Sequence, residues 1–522
     1  MNNGKQIKIG AVISYIAIIL NIVVGLVYTP WMVKKIGKSQ YAIYTLANSL
    51  ITMFLVDFGL SSATARFVSN YKAEEKQENI NNFLGIIYKL YIIIDMVIFT
   101  ALFVYFFFID FVYVSLTAEE LRQFKIVYIM SASFSLINMP FVTQAGILTA
   151  YSKFIQLKLA DLIYRILLTG LTVAVLVFGY GLYALVGAHI VAGILNITYK
   201  QIIIKSCTPI KVNFRYRDSK LFRNIFKFSI WTTIGTLAQR LIFTISPSIL
   251  GIVANSAEIA VFGVVITIEG FFFTITTAIN GMFMPTISKA YVENGEKAPE
   301  KLMPLFVGVG KFNFLINGLL CVGFFLLGKD FITLWMGEEY QNAYIGILLV
   351  IIPGLIYNSL QVANTAMIVK NKVKLQAIIG VIYGVVNVGL SFLLSSFYGA
   401  IGASLSIYIA YTLRGIIYHI VHHRVMKFNI RTFILKCYLR CLPCIIITLI
   451  CGLVFNRFYS VNGWLSFGVA VIIILVIYLF SAILFCTSRN EKQVVFHKLF
   501  GEKKKHSQRK NLKKEENDNE LV

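Results

Sequence analysis

Five basic residues lie inside long apolar stretches of the sequence: Lys89, Arg165, Arg240, Lys311 and Arg414. Lys89 and Lys311 are close enough to a helix end for their ammonium groups to reach water. By helical rise, Arg165 and Arg414 lie about 10 Å from the near membrane surface, and Arg240 lies about 15–18 Å from either surface. Because a charge at that depth costs about 3 kcal/mol or more, Arg240 needs a partner or a watery cavity.

A guanidinium group in such a cavity can hold a phosphate through two parallel hydrogen bonds. We therefore predict an anion-binding site in which Arg240, Arg165 and Arg414 are candidate ligands. The alternative for Arg240 is a structural ion pair with Glu269 or Asp95. Pairing in the empty protein and phosphate binding in the loaded protein are compatible. For Arg165 and Arg414, extension of the side chain to water at the near membrane surface stays equally open.

Acidic residues in apolar stretches could instead carry protons or sodium ions. The candidates for ion coupling are Glu269, Asp57 and Asp95, and Asp161 is a fourth acid of this kind. Asp57 and Asp161 lie near helix ends, where solvation or capping is the simpler explanation. Glu269 lies deep in its stretch and is the better candidate for coupling.

Three other patterns could indicate enzymatic or cofactor chemistry. His189 would suit an intramembrane acyltransferase, but a hydrogen-bonded packing histidine is the simpler interpretation. Cys437, Cys441 and Cys444 have iron–sulfur spacing without a surrounding soluble domain, so we interpret them as small apolar residues. Gly37-Lys38-Ser39 lacks the first glycine of a phosphate-binding loop. We therefore expect no cofactor, no metal and no enzymatic activity.

The elements that position these residues are membrane helices. The chain has 522 residues, of which 58% are hydrophobic and only 14% are charged, with a mean hydropathy of +0.76. These values predict an all-α polytopic membrane protein, because a soluble fold could not bury so much apolar surface. About 14 stretches approach the ~20 residues that cross a bilayer, at roughly 9–29, 41–60, 84–106, 126–148, 159–178, 181–199, 228–250, 259–284, 305–327, 343–366, 375–396, 400–421, 434–455 and 464–486.

The distribution of positive charge predicts the orientation of these helices. Of the 48 Lys and Arg residues, about 36 lie in alternate connections and at both termini, and about 7 lie in the other connections. Positively charged loops stay in the cytosol, so both termini are predicted to be cytosolic. The net charge of +24 is then explained by anionic membrane lipids rather than by nucleic acid.

The domain organisation follows from the same division. We predict an N-terminal six-helix bundle (1–205), a basic cytosolic linker (206–227), a second six-helix bundle (228–424), two further helices (425–488) and a charged cytosolic tail (489–522). The halves repeat one another weakly, for example in Gln144 and Lys153 against Gln361 and Lys370. Six crossings preserve orientation, so the bundles should be related by a pseudo-twofold axis along the membrane normal, with a cavity between them.

Several local motifs resemble the polysaccharide transporter family of the MOP exporter superfamily, whose Wzx-type members flip lipid-linked oligosaccharides. They are Gly37 and Tyr41 in the first turn, Asp57-Phe58-Gly59-Leu60 at the end of the second helix, Arg66, Met284-Pro285, and Tyr398-Gly-Ala-Ile-Gly. Together with the number of spans, the resemblance covers nearly the whole chain. It adds Arg66 to the predicted substrate-binding residues.

The sequence departs from that family at one position of the seventh helix. Members often carry an Asp-Arg pair there, whereas this chain has Gln239-Arg240. The loss of the acid weakens any prediction of ion coupling at this place. The related lipid II flippases resemble one another in arginines on the first helix, where this chain has Asn21 and no arginine.

The resemblance implies a flippase that exports a polyprenyl-diphosphate-linked oligosaccharide across the bacterial cytoplasmic membrane by alternating access. Arg240, Arg66 and Arg165 would hold the diphosphate, and polysaccharide assembly proteins are candidate partners. A cation-coupled multidrug antiporter of the same superfamily is the main alternative. A membrane-embedded polymerase or acyltransferase is a further one, although the longest outer connection, 107–125, shows no catalytic cluster.

Overall fold

The structure, a computed structural model, describes residues 3–54, 57–277 and 283–486. The predicted charged tail lies outside these residues. The described part of the chain is mainly helical and contains no strand, which confirms the all-α membrane fold.

The helices of the first half are α1 (Asn3–Ile36), α2 (Lys38–Phe54), α3 (Leu60–Ala73), α4 (Gln77–Val112), α5 (Ala118–Asn138), α6 (Thr143–Ala150), α7 (Phe154–Val177) and α8 (Leu182–Cys207). Those of the second half are α9 (Ser219–Phe243), α10 (Ser246–Val253), α11 (Ser256–Thr277), α12 (Met284–Asn294), α13 (Ala298–Met336), α14 (Ala343–Ile351), α15 (Gly354–Ser359), α16 (Gln361–Val369) and α17 (Val373–Arg424). Three helices follow, α18 (Ile430–Phe433), α19 (Arg440–Phe458) and α20 (Trp464–Ser481).

Within the described residues, ten helices are long and apolar enough to cross a membrane, and two bent pairs raise the number to twelve. The helix α17 covers two predicted spans, because Gly399 interrupts it with φ 54° and ψ −130°. Only glycine adopts such a conformation at little cost. With α17 counted as two spans the number is 13, roughly in agreement with the 14 predicted, and the 17-residue helix α2, in the predicted span 41–60, is not among them.

One bend lies close to the predicted site. The α9 and α10 segments meet at 45°, immediately before Pro247, which has no N–H to continue the helical ladder. The Asn387 side-chain amide on α17 donates to the carbonyl oxygens of Leu241 and Ile242, at 3.0 and 3.1 Å. Carbonyl groups at the bend are thereby satisfied inside the protein, as hydrocarbon surroundings require.

The helices α1 to α8 pack mainly on one another and form what we call the N-terminal lobe, and α9 to α17 form the C-terminal lobe. The segment 208–218 connects them and packs on α4, where the Asn213 amide donates to Asn82 at 2.7 Å. Asp218 then caps α9 by accepting the N–H groups of Leu221 and Lys220, which hold the pKa of its carboxyl below its usual range. The domain boundaries given in the sequence analysis, at residues 205, 227, 424 and 488, stay predictions.

The internal repeat is visible at one turn of each lobe. After α6, Ser152 has φ 56° and the Lys153 N–H donates to the Leu148 carbonyl, and after α16, Asn371 has φ 55° and the Lys372 N–H donates to the Met367 carbonyl. Both turns are helix C-caps of the same type. The structural repeat therefore pairs Lys153 with Lys372, two residues beyond the Lys370 chosen from sequence.

Candidate functional site

The two lobes contact each other at both ends of the molecule. At the end where α1 meets α2, called here the outer end, Gly263 of α11 packs so closely on α2 that a methyl group there would lie 2.9 Å from Thr45 Oγ1. At the opposite end, which carries the basic linker and is called here the basic end, a methyl group on Gly59 would overlap the Thr232 side chain of α9. Four cavities lie along or beside this interface.

The first cavity, which we call the basic cavity, has a volume of about 450 Å³ and lies between α1, α7 and α11. Its polar lining includes Asn21, Lys158, Asp161, Arg165 and Thr274. The Asp161 carboxylate is shared between Lys200, at 2.9 Å, and Lys158, at 3.7 Å. The acid of this cavity is therefore paired with two lysines, of which Lys158 lines the cavity, and Arg165 lines it with an exposed side chain.

The second cavity, which we call the apolar groove, also measures about 450 Å³ and is lined only by apolar residues and glycine. It lies between α1, α11, α13 and α20, and its walls include Ile22, Leu26, Phe271 and Ile275. The basic cavity and the apolar groove share the helices α1 and α11. Asn21 and Thr274 line the basic cavity, whereas the next residues on the same helices, Ile22 and Ile275, line the apolar groove. The seam between α1 and α11 therefore separates a charged compartment from an apolar one.

Two polar cavities lie beyond the basic cavity. One, of about 240 Å³, lies inside the N-terminal lobe between α2, α5, α7 and α8, and we call it the N-lobe chamber. The other, of about 330 Å³, lies between the lobes toward the outer end, and we call it the outer cavity. His189 lines the N-lobe chamber and its Nε2 lies 3.1 Å from the Tyr44 hydroxyl. This contact agrees with the packing interpretation of His189.

Arg414 lies elsewhere, inside the C-terminal lobe, and its side chain is only 5% exposed. Its guanidinium carbon lies 3.7 Å from the ring centroid of Tyr357 and 4.6 Å from that of Tyr383. Nη1 donates to Gln239 Oε1 at 2.9 Å, and Nη2 donates to the Tyr357 hydroxyl. With Tyr411 and Tyr418, at 5.2 and 5.8 Å, these rings form what we call the tyrosine cage. This enclosure favours a packing role for Arg414, and its contact with substrate stays a prediction.

Gln239 thus has a function that the sequence did not reveal. It stands where the resemblance led us to expect an acid, and it binds the buried arginine instead. The Gln239 amide nitrogen also donates to the Tyr411 hydroxyl at 2.8 Å. The spacing of Tyr411, Arg414 and Tyr418 on one helix face was the available signal.

Glu269 lies beside this cage in a small cavity of about 20 Å³, which Asn317, Asn358 and Tyr411 also line. The Asn358 amide donates to Asn317 Oδ1 at 3.0 Å, so the polar groups around the acid are themselves connected. This cavity is far smaller than the basic cavity. It has room for a single small species rather than for an organic substrate.

The other predicted acids have separate surroundings. Asp57 Oδ1 accepts the Ser61 N–H and the Tyr91 hydroxyl, both at 3.1 Å, and so caps the first turn of α3. Asp95 on α4 is half-buried, and within the described contacts its Oδ1 accepts no hydrogen bond. Neither Asp95 nor Glu269 takes part in the ion pairs that the described residues form. Their part in ion coupling stays a prediction.

The predicted bases fall into two groups. Arg165 lines the basic cavity, whereas Arg240 is half-buried on α9, one turn before the bend, and Arg66 is exposed on α3 toward the basic end. Lys89 donates to the Tyr216 carbonyl in the connecting segment at 2.9 Å, in agreement with its expected extension to the membrane surface. The sequence analysis overlooked Lys158, although its spacing of seven from Arg165 places both on one helix face.

Solved structures with the same fold are transporters and flippases. The chain is 17% identical to the lipid II flippase MurJ in an inward closed conformation, with a TM-score of 0.69 over 90% of this chain and 98% of that one. It is 15% identical to an inward-facing multidrug resistance MATE family transporter, with a TM-score of 0.62 over 78% and 96% of the two chains. It is 14% identical to a MOP superfamily transporter from Pyrococcus furiosus, with a TM-score of 0.58 over 80% of this chain and 94% of that one. The protein therefore has the fold of the MOP superfamily transporters.

The family is shown by the sequence itself. Residues 8–292, more than half of the chain, match the family model of polysaccharide biosynthesis proteins, and the chain belongs to that family. No curated protein matches the chain significantly in sequence.

Proposed function

We propose that this protein is a flippase that exports a polyprenyl-diphosphate-linked oligosaccharide across a bacterial cytoplasmic membrane by alternating access. Such a substrate has an anionic head, a polar glycan and a long apolar tail. The observation that carries the proposal is the seam between α1 and α11, which has the basic cavity on one side and the apolar groove on the other. A molecule that crosses this seam can place its diphosphate among bases while its tail stays among apolar side chains.

Arg165 and Lys158 would hold the diphosphate in this arrangement, with Asn21 as a further donor. Arg165 lines the cavity with an exposed side chain, and an arginine fork matches phosphate oxygens in pairs. Arg240 and Arg66 lie closer to the bend of α9 and to the basic end, so they would contact the head group at other stages of transport.

The apolar groove would receive the first isoprene units of the tail. Its walls belong to α1, α11, α13 and α20, so one of the helices that follow the two lobes completes it. Aliphatic and aromatic walls resemble the bilayer interior, and the tail therefore stays at nearly the same free energy as in lipid. The protein therefore needs to enclose only the polar head of the substrate, and the rest of the tail can stay in the bilayer.

The charge of the basic cavity argues against a cationic drug as cargo. Two bases, Lys158 and Arg165, line it beside a single acid, Asp161, and that acid is already paired with Lys158 and with Lys200 outside the lining. Glu269 is the acid that an antiporter would need, and it lies in a cavity of about 20 Å³. A multidrug antiporter would therefore have its acid and its cargo space in different places.

The test uses the full chain in vesicles that contain a fluorescent short-chain prenyl-diphosphate sugar. A membrane-impermeant quencher reports how much of the lipid has moved from one leaflet to the other. We expect Arg165→Ala to slow this movement about 10-fold or more, because a charged hydrogen bond contributes roughly 1.5–3 kcal/mol. Arg431→Ala, which removes the same charge from an exposed position near the basic end, is the control.

The proposal is wrong if the protein fails to move the prenyl-diphosphate sugar but moves cationic dyes, and if Glu269→Gln stops that movement while Arg165→Ala does not. We further propose that both termini are cytosolic and that the protein has no enzymatic activity. The supporting observations for these points are the charge distribution of the loops and the transporter fold.

A further inference from the structure

The N-lobe chamber has no part in holding the diphosphate or the tail, yet it is polar and large. Its volume of about 240 Å³ is several times the ~30 Å³ that one molecule occupies in liquid water, so it can hold more than a single water. The chamber is formed by four helices of one lobe and so moves as a part of that lobe. It can therefore carry a bound group through a change between outward and inward states.

The lining of the chamber combines uncharged hydrogen-bonding groups with aromatic rings. Asn48, Asn138 and His189 supply amide and imidazole groups, and Tyr44 and Tyr164 supply hydroxyls and ring faces. Within the described contacts, the Asn48 and Asn138 amides have no hydrogen-bond partner in the protein. An amide offers two donors and one acceptor, which is the pattern that sugar hydroxyls and acetamido groups satisfy.

Charge is missing from this lining. Among the described residues around the chamber there is no Asp, Glu, Lys or Arg. A cationic cargo would find no carboxylate here, and an apolar tail would displace water from the Asn48 and Asn138 amides without replacing its hydrogen bonds, at a cost in free energy. An uncharged polar group is the occupant that fits.

The chamber adjoins a cavity on either side of it. Tyr164 lines both the chamber and the basic cavity, where its neighbour Arg165 lies. Tyr44, Asn48 and Thr52 line both the chamber and the outer cavity. The chamber is therefore adjacent both to the basic cavity and to the outer cavity.

We propose that the N-lobe chamber binds one uncharged sugar unit, the one attached directly to the diphosphate, with Asn48 and Asn138 as its hydrogen-bonding residues. The inference rests on the proposed function and adds the part of the substrate that the protein recognises. The sugars beyond the first would extend into the outer cavity between the lobes.

The experiment measures dissociation constants for the full chain in nanodiscs. The probes are farnesyl diphosphate and farnesyl-diphospho-sugars that carry glucose, galactose or N-acetylglucosamine. We expect one sugar-bearing probe to bind about 10-fold or more tightly than farnesyl diphosphate, since two or three hydrogen bonds contribute about that much. Asn138→Ala and Tyr164→Phe should remove most of this advantage, and Asn138→Ala, which lies outside the basic cavity, should leave the affinity for farnesyl diphosphate unchanged.

Thr198→Val is the matched control. Thr198 is on α8 like His189, but its exposed hydroxyl bonds only to the Ile194 carbonyl of its own helix. The thermal midpoint of each variant shows that it is folded, and Tyr164→Phe keeps the ring and so the packing. Thr198→Val should bind every probe as the wild type does.

Each outcome decides between the two proposals. If no sugar strengthens binding, or if Asn138→Ala and Tyr164→Phe leave the sugar advantage intact, the chamber is not a sugar site and the flippase proposal still stands. Equal weakening of all probes would also overturn the inference, because it would show an effect on the fold. If the wild type binds none of the probes, the proposed function itself fails.

Discussion

Replacing Arg414 separates a structural role from a substrate-binding role. The residue is buried among four tyrosine rings and bonded to Gln239 and Tyr357. If this cage is structural, removing one partner should destabilise the C-terminal lobe even in the absence of substrate. We therefore compare Gln239→Leu, Arg414→Met and the variant that carries both substitutions.

The expected loss in the free energy of unfolding depends on which group each substitution leaves without a partner. Gln239→Leu leaves the guanidinium buried with only Tyr357 and the ring faces, and removing one partner of a buried charge costs about 3 kcal/mol. Arg414→Met leaves the Gln239 oxygen without this donor, at about 1–3 kcal/mol, and loses about 2 kcal/mol of cation–π attraction. It also removes a desolvation penalty of several kcal/mol, so its net cost should be about 1–2 kcal/mol.

The double variant should be less destabilised than the sum of the two single variants, by about 1 kcal/mol or more, because the two groups depend on each other. Thermal unfolding in detergent measures all three, and Arg424→Met, at an exposed position at the end of the same helix, is the control. The structural reasoning is refuted if Arg414→Met unfolds like the wild type but no longer binds farnesyl diphosphate. Arg414 would then be the substrate ligand that the sequence predicted.

Two further predictions concern the transport cycle. Pro30 has no N–H to donate to the Leu26 carbonyl, which instead accepts the Trp335 indole N–H at 2.5 Å. Trp335→Phe removes this hydrogen bond and should therefore destabilise the state with a closed outer end by about 1–3 kcal/mol. Spin labels at Arg122 and Glu338 should report a larger separation in Trp335→Phe but not in Trp464→Phe, and an unchanged separation would contradict the prediction. A diphosphate with about two negative charges gains roughly 4–5 kcal/mol on leaving an interior at −100 mV, so a clamped potential should accelerate export from vesicles. Export that ignores the potential but stops without a proton or sodium gradient would show that ion coupling is required.

The sequence predicted the positions of the helices along the chain better than it predicted which of their side chains face a cavity. Hydropathy depends on composition along the chain, so within the described residues the predicted spans lie mainly on helices, including the two halves of α17 on either side of Gly399. Depth in the membrane is also a quantity along the helix axis, and it ranked Arg240 first. Which side chain faces a cavity depends on rotation about the axis, which packing sets. Among the four arginines predicted to bind substrate, Arg165, at a smaller depth, is the one that lines the basic cavity.

The tyrosine cage shows the same limit more strongly. It brings together α9, α15 and both halves of the helix α17, and no single segment of sequence contains it. The absence of an acid beside Arg240 was visible in the sequence. That the glutamine in its place binds a distant arginine was not, because the contact joins residues 175 positions apart.

The proposed function would account for the arrangement of the cavities through the free energies of the parts of such a substrate. An isolated ion in hydrocarbon costs tens of kcal/mol by Born solvation, and unbonded hydroxyls cost roughly 2–7 kcal/mol each, whereas an isoprenoid tail costs nothing in lipid. A protein that moves the whole molecule therefore needs bases where the diphosphate passes, hydrogen-bonding groups where the sugars pass, and only an apolar boundary for the tail. Arg165 and Lys158, the Asn48 and Asn138 amides, and the walls of the apolar groove meet these three needs in the order in which the substrate is connected. At the seam between α1 and α11, the diphosphate would lie on one side and the isoprenoid tail on the other. Substitutions at Asn21 and Ile22 therefore test the two sides of one helix.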